Sequence, residues 1–185
     1  MNNINQYYKI KSLFTIALVC IAALLLCSCE KEVDPIPAPD PNNVIAILEK
    51  DPQLSSFLAV LDSAGFRPAF KVGGPYTLFA PNNAAVQAYF TSKGYPGGIT
   101  QLWATTLTIT AKRTFVNDMV RDQIVFKNFK ADELPAQVFV PRGKTITVSK
   151  TGSDIFLNTN IKITRRDISA SNAVVHEVDK VIIIP

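Results

Sequence analysis

Helical periodicity in the first half of the chain and short β-rich runs in the second predict an α+β domain rather than a doubly wound α/β fold. Three observations carry that expectation. Apolar side chains recur at helical spacing between residues 42 and 61; polar or glycine turns separate brief β-branched and aromatic runs from Gln123 onward; and no proline-rich or low-complexity break divides residues 42–185. A stretch of that length suits one domain with one sizeable core.

The elements follow in chain order. Asn42 and Asn43 offer an N-cap before Val44, Ile45, Ile47 and Leu48, and beyond Asp51 and Pro52 the set Leu54, Phe57, Leu58 and Leu61 continues the helical spacing. Two short amphipathic helices are therefore expected first. Gly73, Gly74 and Pro75 punctuate the chain, and residues 76–80, Tyr-Thr-Leu-Phe-Ala, read as a strand stopped by Pro81. Asn82 or Asn83 then caps a helix carrying Val86, Tyr89 and Phe90, which ends before Gly94. Leu102, Trp103, Thr106 and Leu107 share a helical face, weakened by threonine, so residues 99–122 are expected to form two helices with Trp103 in the core. Strands are expected over residues 124–126, 138–140, 145–149, 155–158, 161–164 and 174–184.

All three cysteines, Cys20, Cys27 and Cys29, fall in the first thirty residues. Lys9 and Lys11 precede an apolar run from Leu13 to Leu26, which is too short to cross a bilayer comfortably and suits the core of an export signal. An uncleaved transmembrane anchor is the alternative. The segment Leu26-Cys27-Ser28-Cys29 resembles the lipobox of bacterial lipoproteins, in which the last cysteine is acylated and becomes the first residue. Cys27 fits less well, because the bulky Leu26 precedes it. Residues 1–28 are thus expected to be a lipoprotein signal peptide and Cys29 a lipid anchor to the membrane; several acyl chains hold far more firmly than one. The run Glu30-Lys31-Glu32-Val33-Asp34 resembles the charged segment of surface-exposed lipoproteins of the Bacteroidetes type. An outer-membrane location follows as the expectation, on the cell surface or the periplasmic face. Proline at every second position from Pro35 to Pro41 makes residues 29–41 an acidic, stiff and extended tether.

Charge excludes more than it suggests. Of 19 basic residues Lys9 and Lys11 leave with the signal, and 15 acidic residues remain to balance the rest, so the apparent pI of 9.0 gives no reason to expect nucleic-acid binding. Arg165-Arg166 and Lys127-Asn128-Phe129-Lys130 read as solvated surface.

Two segments carry a more specific resemblance. Residues 76–86, with Phe79, Pro81 and Asn82, look like the first signature of fasciclin-type domains, a strand ending in Phe-Ala-Pro and an Asn turn into a helix. Residues 167–182, with Asn172, His176 and Asp179, are similar to the second, of the type Asn-Gly-Val-Val-His-x-x-Asp-x-Val. Order and separation agree, and the resemblance covers residues 42–185. It implies a β-strand wedge or sandwich with helices packed around it, an adhesion role outside the cytoplasm, and no shared enzymatic chemistry. Two departures matter. Ala173 stands where glycine is usual, so the turn there is expected to manage without easy positive φ. The Tyr-His pair linked to integrin contact in animal relatives falls on Asp122 and Gln123, so integrin recognition is not implied. The adhesion-linked Asp-Ile pair does match, as Asp167 and Ile168, which become the candidate partner-binding residues, with a strand end and a core isoleucine as the plainer reading.

No constellation for catalysis stands out. His176 is the only histidine and sits among valines, where a hydrogen-bonded structural role is expected. Asp179, three residues along a strand, would face away from it, and no Gly-x-Ser-x-Gly elbow is present. One histidine and no cysteine beyond residue 29 give no metal set, the loop 94–98 lacks the Lys-Ser/Thr of a phosphate cradle, and no cofactor is expected. The function expected is a membrane-anchored extracytoplasmic binding or adhesion module for a protein or polysaccharide partner. The alternative is an accessory carbohydrate-capture lipoprotein of a glycan-uptake assembly. Exposed aromatics in a flat platform favour the latter, an apolar patch or a charge-complementary face the former.

Overall fold

The computed structural model describes residues 40–184. The signal segment, Cys29 and nearly all of the tether lie outside those residues. Among the described residues Asn43 caps α1 (Val44–Lys50), its side chain accepting from the Ala46 N–H at 3.1 Å. A 3₁₀ turn (Pro52–Leu54) leads into α2 (Ser55–Ser63), and α3 (Arg67–Val72) follows, with proline in its first turn. After β1 (Tyr76–Pro81) come α4 (Asn83–Ser92), α5 (Gly98–Ala104) and α6 (Ile109–Arg121). The rest is β2 (Ile124–Val125), a 3₁₀ turn (Ala131–Glu133), β3 (Gln137–Val140), β4 (Lys144–Thr151), β5 (Asp154–Leu157), β6 (Ile161–Ser169) and β7 (Ala173–Val178).

The strands form one seven-stranded sheet in the order β2-β1-β7-β6-β5-β4-β3. β1 and β7 run parallel, and the remaining neighbours are antiparallel. β2 and β3 stand at opposite ends of that order yet approach each other, so the sheet is nearly closed. Its central strands are buried on both faces. Leu78 and Ala80 of β1, with Ala173 and Val175 of β7, pack against the helices in a cluster that includes Phe57, Phe90 and Leu102. The alternate residues Phe79 and Val178 turn inward onto Ile146, Leu157, Ile163 and Ile182. The period-2 alternation of two adjacent strands thus divides the interior into a helix-side core and a sheet-side core.

Five local expectations are corrected. Pro81 does not stop the first strand but is its last residue, opposite Val178, where a missing N–H costs little. The fourth of the later strands to be expected over 155–158 closes one residue earlier, but the strand expected over 161–164 runs on to Ser169, its outer half exposed and held by pairing with β7 rather than by apolar burial. The strand expected over 174–184 ends at Val178, and Val181 and Ile182 are buried without strand pairing. Gln123 supplies the missing partners: its amide donates to the Met119 and Ile182 carbonyls, both at 2.8 Å, and accepts from the Ile182 N–H. Ala173 needs no left-handed backbone, because it is an ordinary strand residue opposite Tyr76.

Candidate functional site

The resemblance-derived residues are scattered along the chain but converge on β1, β7 and the loops they hold. Asn82 caps α4, accepting from Ala85 N–H at 2.9 Å. Asn172 accepts from the Val44 N–H at the start of α1 and donates to the carbonyls of Phe70 (2.8 Å) and Gly73 (2.7 Å), tying three segments together. Asp179 lies just past β7 and accepts from the Lys162 N–H at 2.8 Å, fastening the start of β6.

His176 is fully buried opposite Phe79, with the two rings stacked at 5.8 Å between centroids. Its Nδ1 accepts from the Asp167 N–H at 3.2 Å, so Nε2 carries the proton and donates to the Phe129 carbonyl at 3.0 Å. Burial pushes its pKa below the ordinary 6.5, against the opposing pull of the Phe129 carbonyl and the Asp167 charge. The ring is a neutral brace between β6, β7 and the loop of residues 126–131.

Asp167 belongs to the same brace. Two residues of β6, Arg166 and Asp167, stand against the single residue His176 in a bulge, and Asp167 takes a φ of 60° there. Its carboxylate accepts from the Ala131 N–H at 2.8 Å. Ile168, half-buried, packs against the helix-side core. Thr77 completes the fastening: its hydroxyl donates to the Lys127 carbonyl (2.6 Å) and accepts from the Phe129 N–H (2.8 Å). Residues 127–130, expected as solvated surface, are exposed at Lys127, Asn128 and Lys130 but form a pinned loop, with Phe129 half-buried beneath the Lys127 ammonium at 4.9 Å. Trp103, expected in the core, is half-buried and covered by Lys112, whose ammonium donates to the Trp103 and Thr105 carbonyls.

Beside the pinned loop lies an aromatic face. Phe126 is 66% exposed and Phe139 69%, values far above those of the core phenylalanines. Phe126 lies between two apolar grooves of about 500 and 470 Å³, and Pro141 also borders both. Rings continue along the first groove from Phe126 to Tyr76 at 5.9 Å, Phe70 at 5.1 Å and Phe66 at 6.1 Å, each inclined to the next by 50° to 58°. Among the described residues, the only charged side chains lining the two grooves are Arg121, Arg142 and Lys127. Arg142 is steadied by Asp118 and Asp122, each at 3.5 Å, while exposed Arg121 makes no ion pair among the described residues. Sequence reasoning passed over Phe126 and Phe139. A signal existed for Phe139: in β3 it occupies the outward phase, between buried Val138 and Val140, where a polar residue is usual.

The fold agrees with the comparisons. The model of the Fasciclin domain family matches residues 52–185, and the chain belongs to that family. Among solved structures it is similar to a FAS1 domain pair from the insect cell adhesion molecule fasciclin I, with a TM-score of 0.60 and 16% identity over 77% of this chain and 51% of that one. At that identity the likeness is one of fold, and the chain spans about half the length of the solved pair.

Proposed function

We propose that this protein is an adhesion-type binding module without covalent chemistry, held at the cell envelope by lipid on Cys29 and engaging a protein partner through the Phe126–Phe139 face. The observation that carries this reading is the pair of exposed phenylalanines over adjoining apolar grooves, Phe126 beside a loop fixed by part-buried hydrogen bonds and Phe139 on β3. Exposed apolar patches of this kind mark interaction sites, and aromatic anchors dominate protein interfaces. The only histidine supports binding over catalysis, since both of its ring nitrogens are committed to the backbone. Inclined rings favour a protein partner over a polysaccharide, which would stack on a flatter platform. Asp167 contributes by positioning the loop, and Ile168 by packing beneath the strand that carries Asp167.

No described helix is long and apolar enough to cross a membrane, and the anchor is assigned to Cys29 on its lipobox resemblance. Cys29→Ala then loses fatty-acid labelling while Cys27→Ala keeps it. The partner class is tested by binding the lipidated protein, displayed on whole cells, to target surfaces treated with protease or with periodate. Loss of binding after protease and survival after periodate is expected; the reverse would favour carbohydrate capture.

A further inference from the structure

Beyond a contact face, the groove has a charge pattern that defines what fits it. Phe70, Tyr76, Ile124 and Phe126 supply its apolar wall, and Arg121 and Arg142 are the only charged side chains lining it. Arg142 is held in place by two carboxylates, whereas Arg121, in the last turn of α6, keeps its guanidinium for another group. The second groove continues the pattern, with Lys127 its only charged lining residue. Arginine beside aromatic rings recognises a carboxylate in a planar, bidentate manner that lysine does not reproduce.

From this we infer that the groove takes an acidic, apolar segment of the partner protein, a phenylalanine or leucine side chain seated against the wall that Tyr76, Ile124 and Phe126 form together, with a neighbouring carboxylate on Arg121. The inference rests on the binding face proposed above and names the partner's chemistry there. An acyl chain of a lipid is a poorer occupant. Such ligands bury most of their surface in an enclosed cavity, and here Ala69, Arg121, Phe126 and Pro141 of the wall are all exposed. Cationic lining steers an acidic segment toward the face and disfavours a basic one, and the apolar wall then retains it.

Blocked octapeptides carrying one phenylalanine and one leucine among glutamates, among lysines or among serines test this, with laurate as a fourth ligand, on the full chain. The glutamate peptide is expected to bind most tightly and to lose affinity as salt rises. Arg121→Gln should weaken it by up to about fivefold, the range of one exposed ion pair, and flatten the salt dependence. Because Arg121 is exposed and pairs with no described residue, an unchanged melting temperature accompanies that loss. Equal binding of the three peptides, preference for the lysine peptide, binding of laurate alone, binding of none, or an Arg121→Gln protein indistinguishable from the parent would overturn the inference. The two readings fail separately. If charge proves irrelevant while Phe126→Ser still abolishes peptide binding and cell attachment, the face stands and only its preference for acid falls; if Phe126→Ser changes neither, the face itself is wrong.

Discussion

The imidazole of His176 donates to one backbone carbonyl and accepts from one backbone N–H, so removing it leaves buried groups on two elements without partners. His176→Ala should therefore destabilise the fold by about 1–3 kcal/mol. Phe79→Ala, which empties space in the sheet-side core and removes the stacked neighbour, should cost about 3–5 kcal/mol. The histidine also confers a pH dependence. Its folded pKa is lowered by burial, so the folded state takes up a proton less readily than the unfolded chain. The associated stability is full above the unfolded value of 6.5 and is lost as pH falls through that value toward the folded pKa. Urea midpoints should fall from about pH 7.5 to about pH 5, and less steeply for His176→Gln. Asp122, raised by burial, acts in the opposite sense but is common to both proteins, so their difference isolates the imidazole. Asp167→Ala is expected to leave the chain folded and to speed amide exchange at Ala131, whose N–H it holds. Slower attachment through the loosened loop should accompany it; unchanged exchange at Ala131 would remove Asp167 from the brace.

Among the elements, Asn172 joins what periodicity could not connect. One side chain caps α1 and fixes the end of α3, so Asn172→Ala should lower stability by about 1–3 kcal/mol in a denaturant titration. A substitution at Gly74 should be as harmful: its φ of 146° is foreign to other residues, and an added Cβ would lie 2.5 Å from the Asn172 carbonyl. The sequence made α1, α2, α4 and the strand from Tyr76 legible, because their caps and apolar spacing are local. It hid α3, where six residues bury only Phe70 and leave no period to recognise. It overextended β7, because Val181 to Ile184 read like strand although side chains of Gln123, Asp122 and Lys144 bond the backbone of Ile182 and Ile184. The outer half of β6 was missed for the converse reason, being polar yet paired.

At the scale of the whole molecule the nearly closed sheet explains why the candidate face escaped the sequence. Phe126, just past β2, and Phe139, on β3, are 13 positions apart at the two ends of the strand order, and only curling of the sheet brings β2 and β3 together. Motif residues such as His176 and Asp167 were visible by type, and in the structure they hydrogen-bond the loop next to the exposed ring. The central claim is that this ring pair, not the motif residues, makes the contact. It is tested most directly by measuring attachment of cells displaying the lipidated protein with Phe126→Ser and Phe139→Ser together, at matched surface level and with melting temperature recorded. Loss of two such interface anchors should reduce partner affinity by about 2 kcal/mol or more, roughly thirtyfold, without lowering the melting temperature. Attachment as strong as the parent's, from a folded double variant, would contradict the account.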